Sequence, residues 1–106
     1  RIISAVAQVT SHWLDLSPDI KAAVAAYRVH GTPGSIAFIE GPELSRDLLS
    51  SLVGAGFSLG RPRYGVSDSY LDPYFGGVHA IAWERGRWVG AADLRRDGTV
   101  KASEAP

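Results

Sequence analysis

The run from Gly76 to Gly98, GGVHAIAWERGRWVGAADLRRDG, constrains the fold more than any other part of the sequence. Two strand-like segments flank a tight turn. In Val78–Trp83 one face carries Val78, Ala80 and Ala82, and the other His79, Ile81 and Trp83. Beyond Glu84-Arg85-Gly86-Arg87, the residues Trp88, Gly90 and Ala92 alternate with Val89, Ala91 and Asp93. Neither strand has a wholly polar face, which predicts a sheet covered on both sides. Gly86 suits a short hairpin that needs positive φ. The pattern reads as a buried hairpin within an α/β layer and names no activity.

The rest of the chain supplies the helices and strands of that layer. Ile2, Val6, Val9, Trp13 and Leu16 recur at spacings of three and four, predicting a core-facing helical stripe flanked by Ser4, Ala5, Gln8 and His12. Ser17-Pro18-Asp19 reads as the start of a second helix, with Ser17 at the cap and Pro18 at the first helical position. Its apolar side is Ile20, Ala23, Val24 and Tyr27. His30-Gly31-Thr32-Pro33-Gly34 breaks that helix. Ser35–Glu40 reads as a strand with Ile36 and Phe38 on one face. Pro42 opens a third helix whose stripe is Leu44, Leu48, Leu49, Leu52 and Val53, with Gly54 and Gly56 as stops. Phe57 and Leu59 suit a short strand, and residues 60–75 an ordered irregular loop. The order α-α-β-α-loop-β-β is an α/β mixture without the regular alternation of a doubly wound fold.

Composition limits what such a layer can do. The chain has 106 residues and balances eleven basic against eleven acidic side chains, so it is one domain or part of one, and no basic excess marks a nucleic-acid surface. Cysteine is absent, which excludes disulfides, thiol catalysis and Cys-ligated zinc. No apolar run approaches the ~20 residues of a membrane span, and no signal-peptide pattern is visible. Methionine is also absent, and the first apolar run opens without a capping residue, so the sequence reads as part of a longer polypeptide.

Several residues invite a chemical reading and are better explained by structure. His12, His30 and His79 fall in separate elements without ligand spacing, so no metal is expected. His79, on an apolar strand, is read as a hydrogen-bonded core histidine. Asp68 and Asp72 suit turn chemistry more than an acid/base pair. Ser45, Ser50 and Ser51 lack the strand–turn–helix setting of a nucleophile and read as solvated helix positions. Asp93 and Arg95 form a carboxylate and a guanidinium two residues apart, suited to a bidentate pair that locks a corner. The residues alone assign no group to covalent catalysis.

Four stretches do point to an activity when taken in order: RIISAVAQV, AVAAYRVHG, IEGPELSRDLLSSLVGAGF and GAADLRRDG. Together, over Arg1 to Gly98, they resemble the C-terminal end of the small subunit of the γ-glutamyltransferases (γ-glutamyltranspeptidases, glutathione hydrolases). The last stretch resembles the family's Gly-x-x-Asp-Pro-Arg corner through Gly90, Asp93, Arg95 and Gly98, with Leu94 where proline is usual. The second resembles its Ala-Pro-Arg-Phe-His segment through Ala26, Arg28 and His30, with Tyr27 and Val29 as departures. The first resembles the helix that follows a Gly-Gly-Ser segment.

The resemblance implies a partial αββα sandwich of the N-terminal-nucleophile hydrolase type. Residues 1–98 form the C-terminal portion of the small subunit and 99–106 a polar tail. It also implies that an N-terminal threonine upstream of this chain attacks the γ-glutamyl carbonyl of glutathione or a related amide after autocleavage. A Gly-Gly oxyanion site then lies just ahead of Arg1, the residue nearest the expected centre. No catalytic residue is expected within the chain, which by itself is expected to be inactive. Arg28, His30, Asp93, Arg95 and Gly98 are expected to support packing and maturation. No cofactor is implied. The implied partners are the large subunit, the rest of the small subunit and a γ-glutamyl small molecule. Family members suggest a periplasmic, secreted or cell-surface setting, and the sequence leaves the compartment open. The alternatives are an acylase of glutaryl or other amides on the same fold, and a binding module or degenerate homologue without a nucleophile.

Overall fold

The hairpin forms where the alternation places it. In a computed structural model, which describes residues 2–42, 45–61 and 70–102, strands β4 (Ala80–Glu84) and β5 (Arg87–Ala91) pair antiparallel with Ala82 opposite Val89. Arg85 and Gly86 both take positive φ, 52° and 79°, as a two-residue hairpin loop matched to the strand twist requires. The face carrying Val78, Ala80, Ala82, Val89 and Ala91 packs on helices α1 (Ile2–Ser11) and α2 (Ile20–Ala25), and Val9, Ile20, Ala23 and Val24 complete this core. The two faces of the hairpin are the ones the alternation defines. The expected cover on both sides is not found among the described residues: Ile81 and Trp88 on the outer face are 74% and 69% exposed.

A second layer holds strands β1 (Val29–Gly31), β2 (Ile36–Ile39) and β3 (Ser58–Gly60), in that spatial order. β1 and β2 are antiparallel, whereas β2 and β3 run parallel. Parallel neighbours need a crossover, and helix α3 (Arg46–Gly54) supplies it. The radius of gyration is 15.3 Å, against about 13 Å for a compact chain of this length.

Local physics moves several sequence-based boundaries. On α1 the buried positions are Ala5 and Val9, with half-buried Trp13 continuing the line, while Ile2 and Leu16 lie outside. Leu16 leaves the line where residues His12–Leu16 widen into a π-helical turn, closed by the Ser17 N–H on the His12 carbonyl. The cap of α2 is Asp19 in place of Ser17, since its carboxylate accepts from Ala22 N–H at 3.1 Å. α2 ends at Ala25, so Tyr27 is half-exposed beyond it and His30 sits in a strand.

On β2 the buried residues are Ala37 and Ile39, on the face opposite to Ile36 and Phe38. α3 starts after Ser45, whose hydroxyl accepts from Leu48 N–H, and Pro42 lies outside it. None of its described residues is buried; Leu44, also assigned to that stripe, lies outside the described residues, as do Asp68 and residues 103–106 of the tail.

Candidate functional site: a buried corner of four charges

Glu40 directly follows β2, the residue before β1 is Arg28, and the chain leaving β5 carries Asp93 and Arg95. All four meet in the interior, at most 4% exposed. Arg28 Nη2 donates to Asp93 Oδ2 at 2.8 Å, and Arg95 Nη1 to Asp93 Oδ1 at 3.1 Å. The other end of the Arg95 fork grips Glu40, with Nε 2.9 Å from Oε2 and Nη2 2.5 Å from Oε1. Two positive and two negative charges make the corner neutral, which is the condition for burying it.

Backbone groups take up most of the remaining valence. Arg28 donates to the carbonyls of Phe75 and Val24, and Arg95 to those of Val24 and Ala26. These guanidinium bonds occupy carbonyls at the end of α2, so the helix stops there and Ala26 turns to extended backbone. Glu40 accepts from the N–H groups of Arg28 and Asp72, and Asp93 from those of Val78 and Arg95. The corner thus ties α2, both sheets and the segment around Asp72 into one body.

Charge state follows from these contacts. Burial alone pushes the Asp93 carboxyl up, but the Arg95 and Val78 N–H groups, and then the two guanidinium charges, hold it below the ordinary range. Burial works against the Arg95 charge, yet the hydrogen bonds and charge of Glu40, followed by Asp93, raise it above its usual value. Arg28 goes the other way, lowered by burial and then by the neighbouring Arg95 charge.

The expected site residues divide clearly. Arg28, Asp93 and Arg95 are brought together. Their pairing differs from the expected lock between Asp93 and Arg95 alone, because the bidentate partner of Arg95 is Glu40, which the sequence reading passed over. Gly98 lies against the corner's rim: a Cβ there would fall within 2.5 Å of the His79 ring. His79 Nδ1 accepts from Asp93 N–H at 3.2 Å, but its side chain is exposed, not part of the core as expected.

His30 stands apart, with Nδ1 3.0 Å from Ser4 Oγ and its ring edge-on to Tyr74. Arg1 lies outside the described residues. Asp72 is a turn residue, its Oδ1 accepting from Tyr74 N–H at 2.8 Å. Among the described residues no group of three His, Asp or Glu side chains is placed to hold a metal ion, and no helix is long and apolar enough to cross a membrane.

A second anchor also went unread. Glu84 Oε2 accepts from Trp13 Nε1 at 2.6 Å and from Ile20 N–H at 2.7 Å, joining the hairpin end to the start of α2. Both constellations are occupied by internal partners, so their chemistry is to hold elements in place.

Helices packed on a hairpin and an adjoining mixed sheet define the class: a segment of the N-terminal-nucleophile hydrolase fold. The family model described as gamma-glutamyltranspeptidase matches residues 1–103, and the chain belongs to that family. The solved W525D mutant of the Pseudomonas nitroreducens gamma-glutamyltranspeptidase is similar at 21% identity with a TM-score of 0.73, over 97% of this chain and 50% of that one. The Bacillus anthracis transpeptidase enzyme CapD aligns at 21% identity and TM-score 0.72, covering 93% and 55% of the two chains. The Helicobacter pylori gamma-glutamyltranspeptidase T380A mutant gives 23% and 0.66, covering 89% and 48%. These likenesses are of fold, and the chain spans about half the length of the structures it matches. No curated protein sequence matches it.

Proposed function

We propose that this chain is the C-terminal portion of the small subunit of an enzyme that transfers or hydrolyses γ-glutamyl groups. Its nucleophile is a threonine upstream of Arg1. The observation that carries this reading is the family match across residues 1–103. In the proposed mechanism the threonine hydroxyl attacks the γ-glutamyl carbonyl while its own amine takes the proton. Backbone N–H groups of a glycine pair just ahead of Arg1 meet the oxyanion, and the positive end of α1 faces the same charge. Collapse of the tetrahedral intermediate breaks the C–N bond, and the leaving amine takes the proton from the threonine's amine. Water or an amine acceptor then attacks the acyl ester and frees the threonine hydroxyl. Residues 1–98 supply the framework for this site, and Arg28, Glu40, Asp93 and Arg95 brace it. Their pairing with one another supports a division of labour in which no side chain of this segment performs covalent chemistry.

The test is to express the full-length protein and combine intact mass, N-terminal sequencing and release of a chromophore from a γ-glutamyl anilide. Two chains, the smaller beginning with threonine and containing residues 1–106, together with chromophore release, are expected. A single uncleaved chain without turnover overturns the reading. Turnover by residues 1–106 alone overturns the division of labour.

A further inference from the structure

Among the described residues β1 is the outermost strand of its sheet, with no strand beside one of its edges. The backbone of Val29 on that edge is nevertheless paired. Gln8, in the middle of α1, accepts from Val29 N–H through Oε1 at 2.9 Å and donates from Nε2 to Val29 O at 2.7 Å. The same Nε2 lies 3.1 Å from the Ser4 carbonyl one turn back in its own helix. A side-chain amide therefore stands where one residue of a neighbouring strand would stand. One turn nearer the start of α1, Ser4 Oγ meets His30 Nδ1, in the strand residue next to Val29.

This arrangement matters because α1 has little else to fix it. Its buried residues are Ala5 and Val9, whereas Ile2, Ile3 and Val6 are 79%, 87% and 49% exposed. Two small apolar contacts resist lifting of the helix but tolerate sliding and rotation, since dispersion and burial are non-directional. A pair of opposed hydrogen bonds from one planar amide sets both register and rotation.

We propose that Gln8 is a positioning residue: its clamp on Val29 fixes α1, and through it the oxyanion-binding backbone directly ahead of the helix. The inference rests on the reading above that the start of α1 faces the reacting carbonyl. A misplacement of about 1 Å at such donors costs about 100-fold in rate. The loss falls on kcat, because the oxyanion exists only in the transition state.

The experiment measures kcat, KM and the self-cleavage rate of the full-length protein with a γ-glutamyl anilide, for wild type, Gln8→Ala, Gln8→Glu and Val9→Ala. Gln8→Ala is expected to lower kcat about 10- to 100-fold per processed enzyme with KM within about twofold, and to slow self-cleavage. Val9→Ala, which removes buried carbon one residue away and keeps the clamp, is expected to hold kcat within about threefold. In Gln8→Glu the introduced carboxylate accepts from Val29 N–H but has no proton for Val29 O. Protonation restores that donor. Its kcat relative to wild type is therefore expected to rise as pH is lowered from about 8 to about 5.

Equal kcat losses in Gln8→Ala and Val9→Ala, or a flat pH ratio for Gln8→Glu, overturn the positioning role and leave the proposed function standing. Should Gln8→Ala give no soluble protein, the pH ratio of Gln8→Glu decides alone. A wild type that neither cleaves nor turns over removes the function and this inference together.

Discussion

At one end of the β4–β5 hairpin Arg28, Glu40, Asp93 and Arg95 are 2%, 4%, 1% and 3% exposed, while on its outer face Ile81, Trp83 and Trp88 are 74%, 55% and 69% exposed. Charge lies inside and large apolar surface outside, the reverse of the ordinary distribution. The two regions differ in whether the described residues supply their partners. Apart from Arg28 Nε, the corner is paired by groups within this chain, guanidinium to carboxylate to backbone. Within the chain, the outer face has Trp83 against Trp88, with centroids 5.1 Å apart, and Val100 lying over Gly90. Polar burial is therefore a local achievement of this segment, whereas the large apolar side chains of the outer face are left largely uncovered by the described residues.

The strongest way to break this comparison is to remove one charge from the corner. Arg95→Ala leaves Glu40 without its guanidinium and Asp93 with only one, and is expected to cost about 3–5 kcal/mol, because an uncompensated buried charge remains. Urea unfolding of the full-length protein checks this. A Glu40→Gln, Arg95→Met double variant is expected to recover part of the loss. Strictly additive losses would show that the four groups do not act as a unit.

The outer face gives the contrasting measurement. Trp88→Ser in residues 1–106 alone is expected to change stability by less than about 1 kcal/mol, since the lost contact is one cross-strand aromatic pair. In the full-length protein the same change is expected to cost about 3 kcal/mol, the scale of truncating a buried tryptophan. Equal small effects in both would show that the face stays open to water.

How much of this was legible depends on the range of the interaction. The hairpin faces, the positive φ at Gly86 and the apolar side of α2 through Ile20, Ala23 and Val24 follow from neighbours a few residues apart. The corner was half legible. Arg28, Asp93 and Arg95 stood out through the family pattern, but Glu40 sits at the end of the apolar run SIAFIE before Gly41-Pro42 and looks like a solvated turn entry. Its partner Arg95 is 55 residues away, and no periodicity encodes a pairing at that distance.

The phase of α1 was misread for a related reason. Of the bulky apolar stripe Val9 and Trp13 do face the core, whereas Ile2, Val6 and Leu16 stay exposed and the helix meets its neighbours also through Ala5 and the amide of Gln8. Of the α3 stripe Leu44, Leu48, Leu49, Leu52 and Val53, Leu48, Leu49 and Val53 remain substantially exposed and Leu52 is half-buried. Apolar periodicity identifies a face that will be covered; it does not say which chain segment covers it.

Acid should separate the two regions further. Asp93 is held below the ordinary carboxylate range in the folded chain, and an unfolded aspartate titrates near 3.9. A depressed folded value contributes stability that is fully present above the unfolded value and lost as pH falls through the folded one. The stability gap between wild type and Asp93→Asn is therefore expected to be constant from about pH 7 to about pH 5 and to narrow below about pH 4. Wild-type and Trp88→Ser curves should stay parallel over the same range, since no titratable group is removed. The urea midpoint against pH for the three proteins reads this directly, and a gap that widens in acid would place the corner's charge dependence elsewhere.

The smallest expected effect sharpens the comparison at the corner's own turn. Arg96 N–H bonds to the Asp93 carbonyl at 3.1 Å, which puts Leu94 at the second position of the turn. Proline favours that position because its ring presets φ near the value the turn needs, and the turn bond does not use the Leu94 N–H. The Leu94 side chain is 78% exposed, so losing it forfeits little buried area. Leu94→Pro is expected to stabilise by about 0.4–1 kcal/mol, chiefly by restricting the unfolded chain. If thermal unfolding instead shows a loss, the exposed leucine belongs with Ile81 and Trp88 as apolar surface that another segment covers. The line between the self-satisfied corner and the dependent face would then run through the turn between Asp93 and Arg95.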